Sequence, residues 1–184
     1  MGKAAKAFFW GITLCLCMAG HVKGQEVTQK RQEVAWKDKT RLLPEKLRQI
    51  PDGLLVWDSP NPSYPTPDPA TPGAFIWQHD THVQAINSDL QMVEAGSFIW
   101  YSQAGWQANI ELSVQEFAIN FNCPNALLKK GNTYKYANNN RFSPTSKQLY
   151  GGDALWYVLA VDKAGKRYKG LAFVETEPGP NMGK

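Results

Sequence analysis

The chain has 184 residues, 43% of them hydrophobic, and carries 20 Lys and Arg against 16 Asp and Glu, a formal charge of +4. Lys3, Lys6 and Lys23 all fall before residue 25 with no acid among them, so the rest carries 17 basic against 16 acidic side chains and one cysteine, Cys123. That balance excludes the clustered basic surface of a nucleic-acid binder, and a single cysteine excludes an intrachain disulfide framework.

Lys3 and Lys6 precede a 13-residue uncharged run from Ala7 to Ala19, shorter than the roughly 20 apolar residues needed to cross a bilayer. Val22 and Gly24 stand at the third and last positions before a cut. Residues 1–24 therefore read as a cleaved secretion signal, and the mature chain is expected in the periplasm or outside the cell, without a membrane span. Neither Cys15 nor Cys17 follows the small residues of a lipid-attachment site.

Residues 25–59 read as a basic N-terminal arm, partly ordered. Between 25 and 50 there are seven Lys and Arg against four Asp and Glu and no clean period, and Pro44 to Ile50 is suited to one short helix ahead of Pro51. Six prolines, Pro60, Pro62, Pro65, Pro67, Pro69 and Pro72, fill six of the thirteen positions from 60 to 72. Such a run disfavours helix and interior strand and reads as a semi-rigid polyproline linker.

Residues 73–177, with nine basic and nine acidic side chains, are expected to form the single globular domain, followed by a flexible tail at 178–184. The apolar run Phe98-Ile99-Trp100-Tyr101 and the alternating Trp106, Ala108, Ile110 and Leu112 predict a hairpin across Ser102 to Gly105. Val114, Phe117, Ala118 and Phe121 then switch to a helical period behind a Ser113/Glu116 capping box, predicting a helix at about 114–122. A second helix is expected at about 124–130, starting at Pro124 and ending at Gly131. Tyr134 and Tyr136 resume a strand period, and Asn138-Asn139-Asn140 reads as a turn or loop. Trp156 to Val161, apolar on both faces, predicts a central strand, and Gly165 is the positive-φ residue of the hairpin that follows. The expected class is α+β or mostly β: an antiparallel sheet or sandwich-like domain with an inserted pair of short helices. Leu149 to Lys166 resembles the closing hairpin of fibronectin type III and related sandwiches over under a fifth of the domain. Leu155 or Trp156 stands where that family has its corner tyrosine, so no family assignment follows.

Three groups of residues are candidates for chemistry. His79, Asp80 and His82 offer the imidazole and carboxylate mix that holds zinc or copper, although on a straight strand the two histidines point to opposite faces. Cys123, between the two expected helices, is the candidate nucleophile or reactive thiol. Trp100, Tyr101 and Trp106 form a candidate platform for a sugar ring or another flat ligand. No nucleophile elbow, phosphate loop or zinc-protease motif is present in the sequence. The expected function is a non-enzymatic exported binding or assembly module with a protein or glycan partner. The alternatives are a carbohydrate or small-ligand domain using exposed tryptophans and a metal-linked or thiol enzyme.

Overall fold

A computed structural model describes residues 41–101 and 104–179. The expected signal, the arm up to residue 40 and the last five residues of the tail lie outside the described residues.

The chain enters with helix α1 (Glu45–Arg48) and continues through strands β1 (Leu54–Ser59), β2 (Pro65–Pro67), β3 (Phe75–Ala85), β4 (Leu90–Tyr101) and β5 (Gly105–Leu112). Helix α2 (Val114–Asn120) and a 3-10 turn at Pro124–Ala126 follow, then β6 (Leu127–Leu128), β7 (Thr133–Ser143), β8 (Gly152–Val161) and β9 (Arg167–Thr176). Two antiparallel sheets result. In one, β3 is central, with β1 and β2 along one side and β7 along the other; the second runs β5-β4-β8-β9, with β6 on the early part of β4. The sheets share one core, in which Leu54, Val56 and Val83 meet Met92, Trp156, Val158 and Val174. This is the antiparallel, sandwich-like class expected from the strand periods and turns.

Helix α2 closes one flank of the sandwich. Ser113 and Glu116 form the predicted capping box, each satisfying a backbone amide of the other. Phe117 stacks on Phe121 at 4.3 Å, and Phe121, Tyr136 and Trp156 continue the aromatic contact from the helix into both sheets. The second expected helix is reduced to one 3-10 turn. Asn125 and Ala126 take positive φ, which breaks helical geometry, and Leu127 and Leu128 extend to pair with Gln91 and Leu90.

The proline run does not act as a linker, and the expected domain start at residue 73 is too late. β1 pairs with β3 from Leu54/Ala85 to Ser59/Asp80, and Pro65 and Pro67 sit in β2 against Trp77 and Phe75. Proline is tolerated there because β2 is an edge segment whose outer amides need no ladder partner. Between these strands the Asn61 side chain donates to Phe173 O and accepts from Glu175 N, while Ser63 N bonds Glu175 O. Asn61 and Ser63, set between the prolines, thus cover the edge of β9 from Phe173 to Thr176.

Residues 41–50 are ordered too, and lie as a latch over the outer face of the second sheet. Leu47 is fully buried in a cluster with Phe98, Leu155, Tyr157, Leu159 and Leu171, with Leu43 and Ile50 packed beside it. Burying one such leucine contributes about 1.5–3 kcal/mol. Lys46 donates to Tyr157 Oη at 2.7 Å and lies over its ring. Under the latch β8 is covered on both faces: Leu155 to Ala160 are each at most 4% exposed. The central strand expected from Trp156 to Val161 is borne out.

Bulges decide which residues face inward. In β5, Ile110 pairs with Ser97 but Ala108 pairs with Phe98, so Asn109 is an extra residue. The alternation read as one face is therefore split: Leu112 joins the shared core and Trp106 the outer cluster. In β7, Asn139 pairs with His79 but Tyr136 with Thr81, and the extra length is taken up at Asn138, at φ 57°. The Asn138 to Asn140 segment expected as a turn is this bulged strand.

Candidate functional site

The sandwich interior changes character along β3. Toward its end, Val83 and Ala85 lie in the apolar core; toward its start, the same face carries Thr81, His79 and Trp77. The period-2 run of β1 adds Asp58 beyond Leu54 and Val56, and the β7 bulge turns Asn139, Arg141 and Ser143 inward.

Asp58, His79, Thr81 and Asn139 form a closed polar group, each at most 9% exposed. Thr81 Oγ1 donates to Asp58 Oδ1 at 2.5 Å and accepts from Asn139 Nδ2 at 2.9 Å. His79 Nε2 lies 3.6 Å from Asp58 Oδ1. Neither imidazole nitrogen nor Asp58 Oδ2 has a partner in hydrogen-bonding geometry. Burial pushes the Asp58 carboxyl up to about 7, against the lowering effect of the Thr81 hydroxyl, and burial pushes His79 down to about 4. Around neutral pH the pair is therefore an uncharged imidazole beside a carboxyl near its own midpoint, and the 3.6 Å contact is not a full ion pair.

Arg141 lies one inward position further along β7. Its guanidinium stacks over the Trp77 ring at 4.8 Å, and Nη1 donates to Thr176 Oγ1 at 2.9 Å. Trp77 is itself fixed by its indole N–H to Glu177 O at 2.6 Å. Desolvation holds the Arg141 pKa below the usual arginine value, with the nearby Tyr101 phenol acting in the opposite direction.

Trp100, Tyr101 and Trp106 are brought together by the β4–β5 hairpin, in which Trp100 pairs directly with Trp106. Their rings meet edge-on at 5.2 Å, and Trp106 meets Phe173 at 6.2 Å. Arg41 lies over both Trp100 and Phe173 and pairs with Asp153, while Tyr101 is 55% exposed.

The candidate metal ligands do not converge. His79 faces the interior, whereas His82 stacks flat on Trp57 at 4.8 Å on the outer face and Asp80 bonds Lys135 and the Asn138 amide. Among the described residues no group of three His, Cys, Asp or Glu is placed to hold a metal ion. Cys123 is fully buried in the apolar core, and burial pushes its thiol up to about 11. That environment opposes the thiolate that a nucleophile requires. Asp58 and Arg141 are not among the candidates drawn from the sequence. Asp58 had a legible signal, a carboxylate on the Leu54/Val56 stripe; Arg141 had none, because the bulge reverses the phase before it.

No family model and no curated protein matches the chain. Among solved structures, a crystal structure described as the ApaA protein from Bordetella pertussis aligns over 65% of this chain and 88% of its own, at 16% identity and a TM-score of 0.39. No helix among the described residues is long and apolar enough to cross a membrane.

Proposed function

We propose that the protein is an exported, non-enzymatic binding module whose ligand face is the Trp100/Tyr101/Trp106 end of the β4–β5 hairpin, with a glycan as the ligand. The observation that carries this is the cross-strand indole pair at 5.2 Å, braced by Phe173 and Arg41 and continued by the exposed Tyr101. Rigid aromatic faces of this kind stack on the apolar faces of sugar rings and lose little side-chain entropy on binding. Export rests on the basic and apolar N-terminal pattern alone.

Tryptophan fluorescence titrated with a panel of neutral and acidic oligosaccharides tests the reading. Binding should be weakened at least tenfold in Trp100→Ala, with the melting temperature held within a few degrees. A panel without any fluorescence shift would sink the glycan reading.

A second reading, assembly with a protein partner, is favoured by β5. Among the described residues it pairs only with β4, and Gly105–Leu112 contains neither proline nor a basic side chain to guard its open edge. Crosslinking and pull-down from an envelope fraction, compared with an Asn109→Pro variant, would separate strand addition from glycan binding.

A further inference from the structure

We propose that Arg141 is the centre of an anion subsite that takes a carboxylate, so that the glycan bound at the hairpin is an acidic sugar. The ligand class rests on the glycan reading above; the carboxylate site itself rests on Arg141.

The guanidinium is held as a rigid fork. Trp77, fully buried, supports its face, and Thr176 Oγ1, itself donating to Gly152 O at 2.8 Å, fixes Nη1. Gly152 makes the space: a Cβ there would lie 3.2 Å from Nη1. One N–H is thereby engaged out of the five that a guanidinium carries. No carboxylate of the described residues lies within ion-pairing distance of Arg141, although it is only partly exposed; Asp153, next to Gly152, is taken by Arg41. A desolvated arginine without a counter-ion, prearranged against an indole, presents the two parallel donors that suit a carboxylate. Gly152, against Nη1, is followed by Asp153, and Asp153 pairs with the Arg41 that lies over the Trp100 ring, so the fork and the aromatic hairpin share one end of the sandwich.

The test compares purified full chain with Arg141→Gln, Arg141→Lys and Gly152→Ala, using trigalacturonate, the neutral galactotriose and sodium acetate as probes. Fluorescence titration should give the wild type about tenfold or more preference for trigalacturonate over galactotriose. Arg141→Gln should lose that preference while retaining galactotriose binding, Arg141→Lys should retain only part of it, and Gly152→Ala should reduce it by crowding Nη1. Equal wild-type affinity for the two trisaccharides would overturn the subsite and leave the hairpin reading standing, as would an unchanged preference in folded Arg141→Gln. If neither trisaccharide binds, the hairpin reading fails. Acetate then decides the subsite: a rise in wild-type melting temperature that Arg141→Gln lacks supports it, and no rise overturns it.

Discussion

The two halves of the sandwich interior are built from the same strands and do opposite things. Around α2, Phe117, Phe121, Tyr136 and Trp156 interlock with aliphatic side chains from both sheets, and among the described residues no buried side-chain nitrogen or oxygen of that half lacks a partner. Around the start of β3, Asp58, His79, Thr81, Asn139 and Arg141 occupy equivalent inward positions, and three buried polar atoms of the Asp58–His79 pair remain without partners. Leaving such atoms unpaired costs stability, so the apolar half and the latch must supply the surplus that tolerates it.

Substitutions can break that comparison, beginning in the apolar half. Phe117→Ala, at a position with no exposure, should cost about 3–5 kcal/mol in denaturant unfolding through lost transfer energy and the cavity left behind. A loss under about 1 kcal/mol would mean that the apolar half is not where stability resides.

The next effect is a pH dependence confined to the polar half. Asp58 rises from 3.8 to about 7 on folding, so its contribution lowers stability as pH climbs from about 4 to 7; His79 falls from 6.5 to about 4, so its contribution raises stability between about 4 and 6.5. The two oppose each other in the wild type over the window where both act, about pH 4 to 6.5. His79→Gln should expose the falling limb and Asp58→Asn the rising one, read as differences from wild type so that the carboxylates elsewhere drop out. Variants whose pH profiles run parallel to wild type would refute the pair.

A reciprocal exchange on one strand face sharpens the contrast at smaller scale. Thr81 and Val83 are both fully buried, two residues apart. Thr81→Val strands Asp58 and Asn139, and Val83→Thr puts an unpartnered hydroxyl in the apolar half; each should cost about 1–3 kcal/mol by thermal unfolding. If Thr81→Val stabilised the fold instead, the polar group would not be a network. The smallest effect belongs outside both halves: Lys135→Ala, removing the exposed pair with Asp80, should change stability by less than about 1 kcal/mol.

How much of this was legible depended on whether period and face stayed in phase. The capping box at Ser113 and Glu116, the doubly buried β8 and the positive φ of Gly165 were readable because each is a local rule with one structural solution. The opposed faces of His79 and His82 followed from strand alternation alone. Pro65 and Pro67 misled because composition cannot tell a free spacer from an edge segment, a distinction made only by the distant partners Trp77 and Phe75. The latch was unreadable for the same reason: Leu43, Leu47 and Ile50 look sparse until Leu155, Leu159 and Leu171 are placed beneath them. Trp106 and Arg141 sit next to bulges, where one extra residue reverses every inference drawn from alternation.

The bulge at Asn138 sets which face every later residue of β7 presents to the interior. Strand alternation is a parity, and one residue changes it. Deleting a single asparagine at the bulge would remove the extra residue, so that the Tyr136/Thr81 and Asn139/His79 pairings join in regular alternation and Arg141 keeps its inward place opposite Trp77; a strand of unchanged length that lost the bulge would instead send Phe142 toward the interior and Arg141 toward solvent. A chain one residue shorter at the bulge would therefore keep both the fold and the inward arginine on a regular strand, so it is the spacing from Tyr136 to Arg141 taken together with the bulge that decides whether the charge faces in.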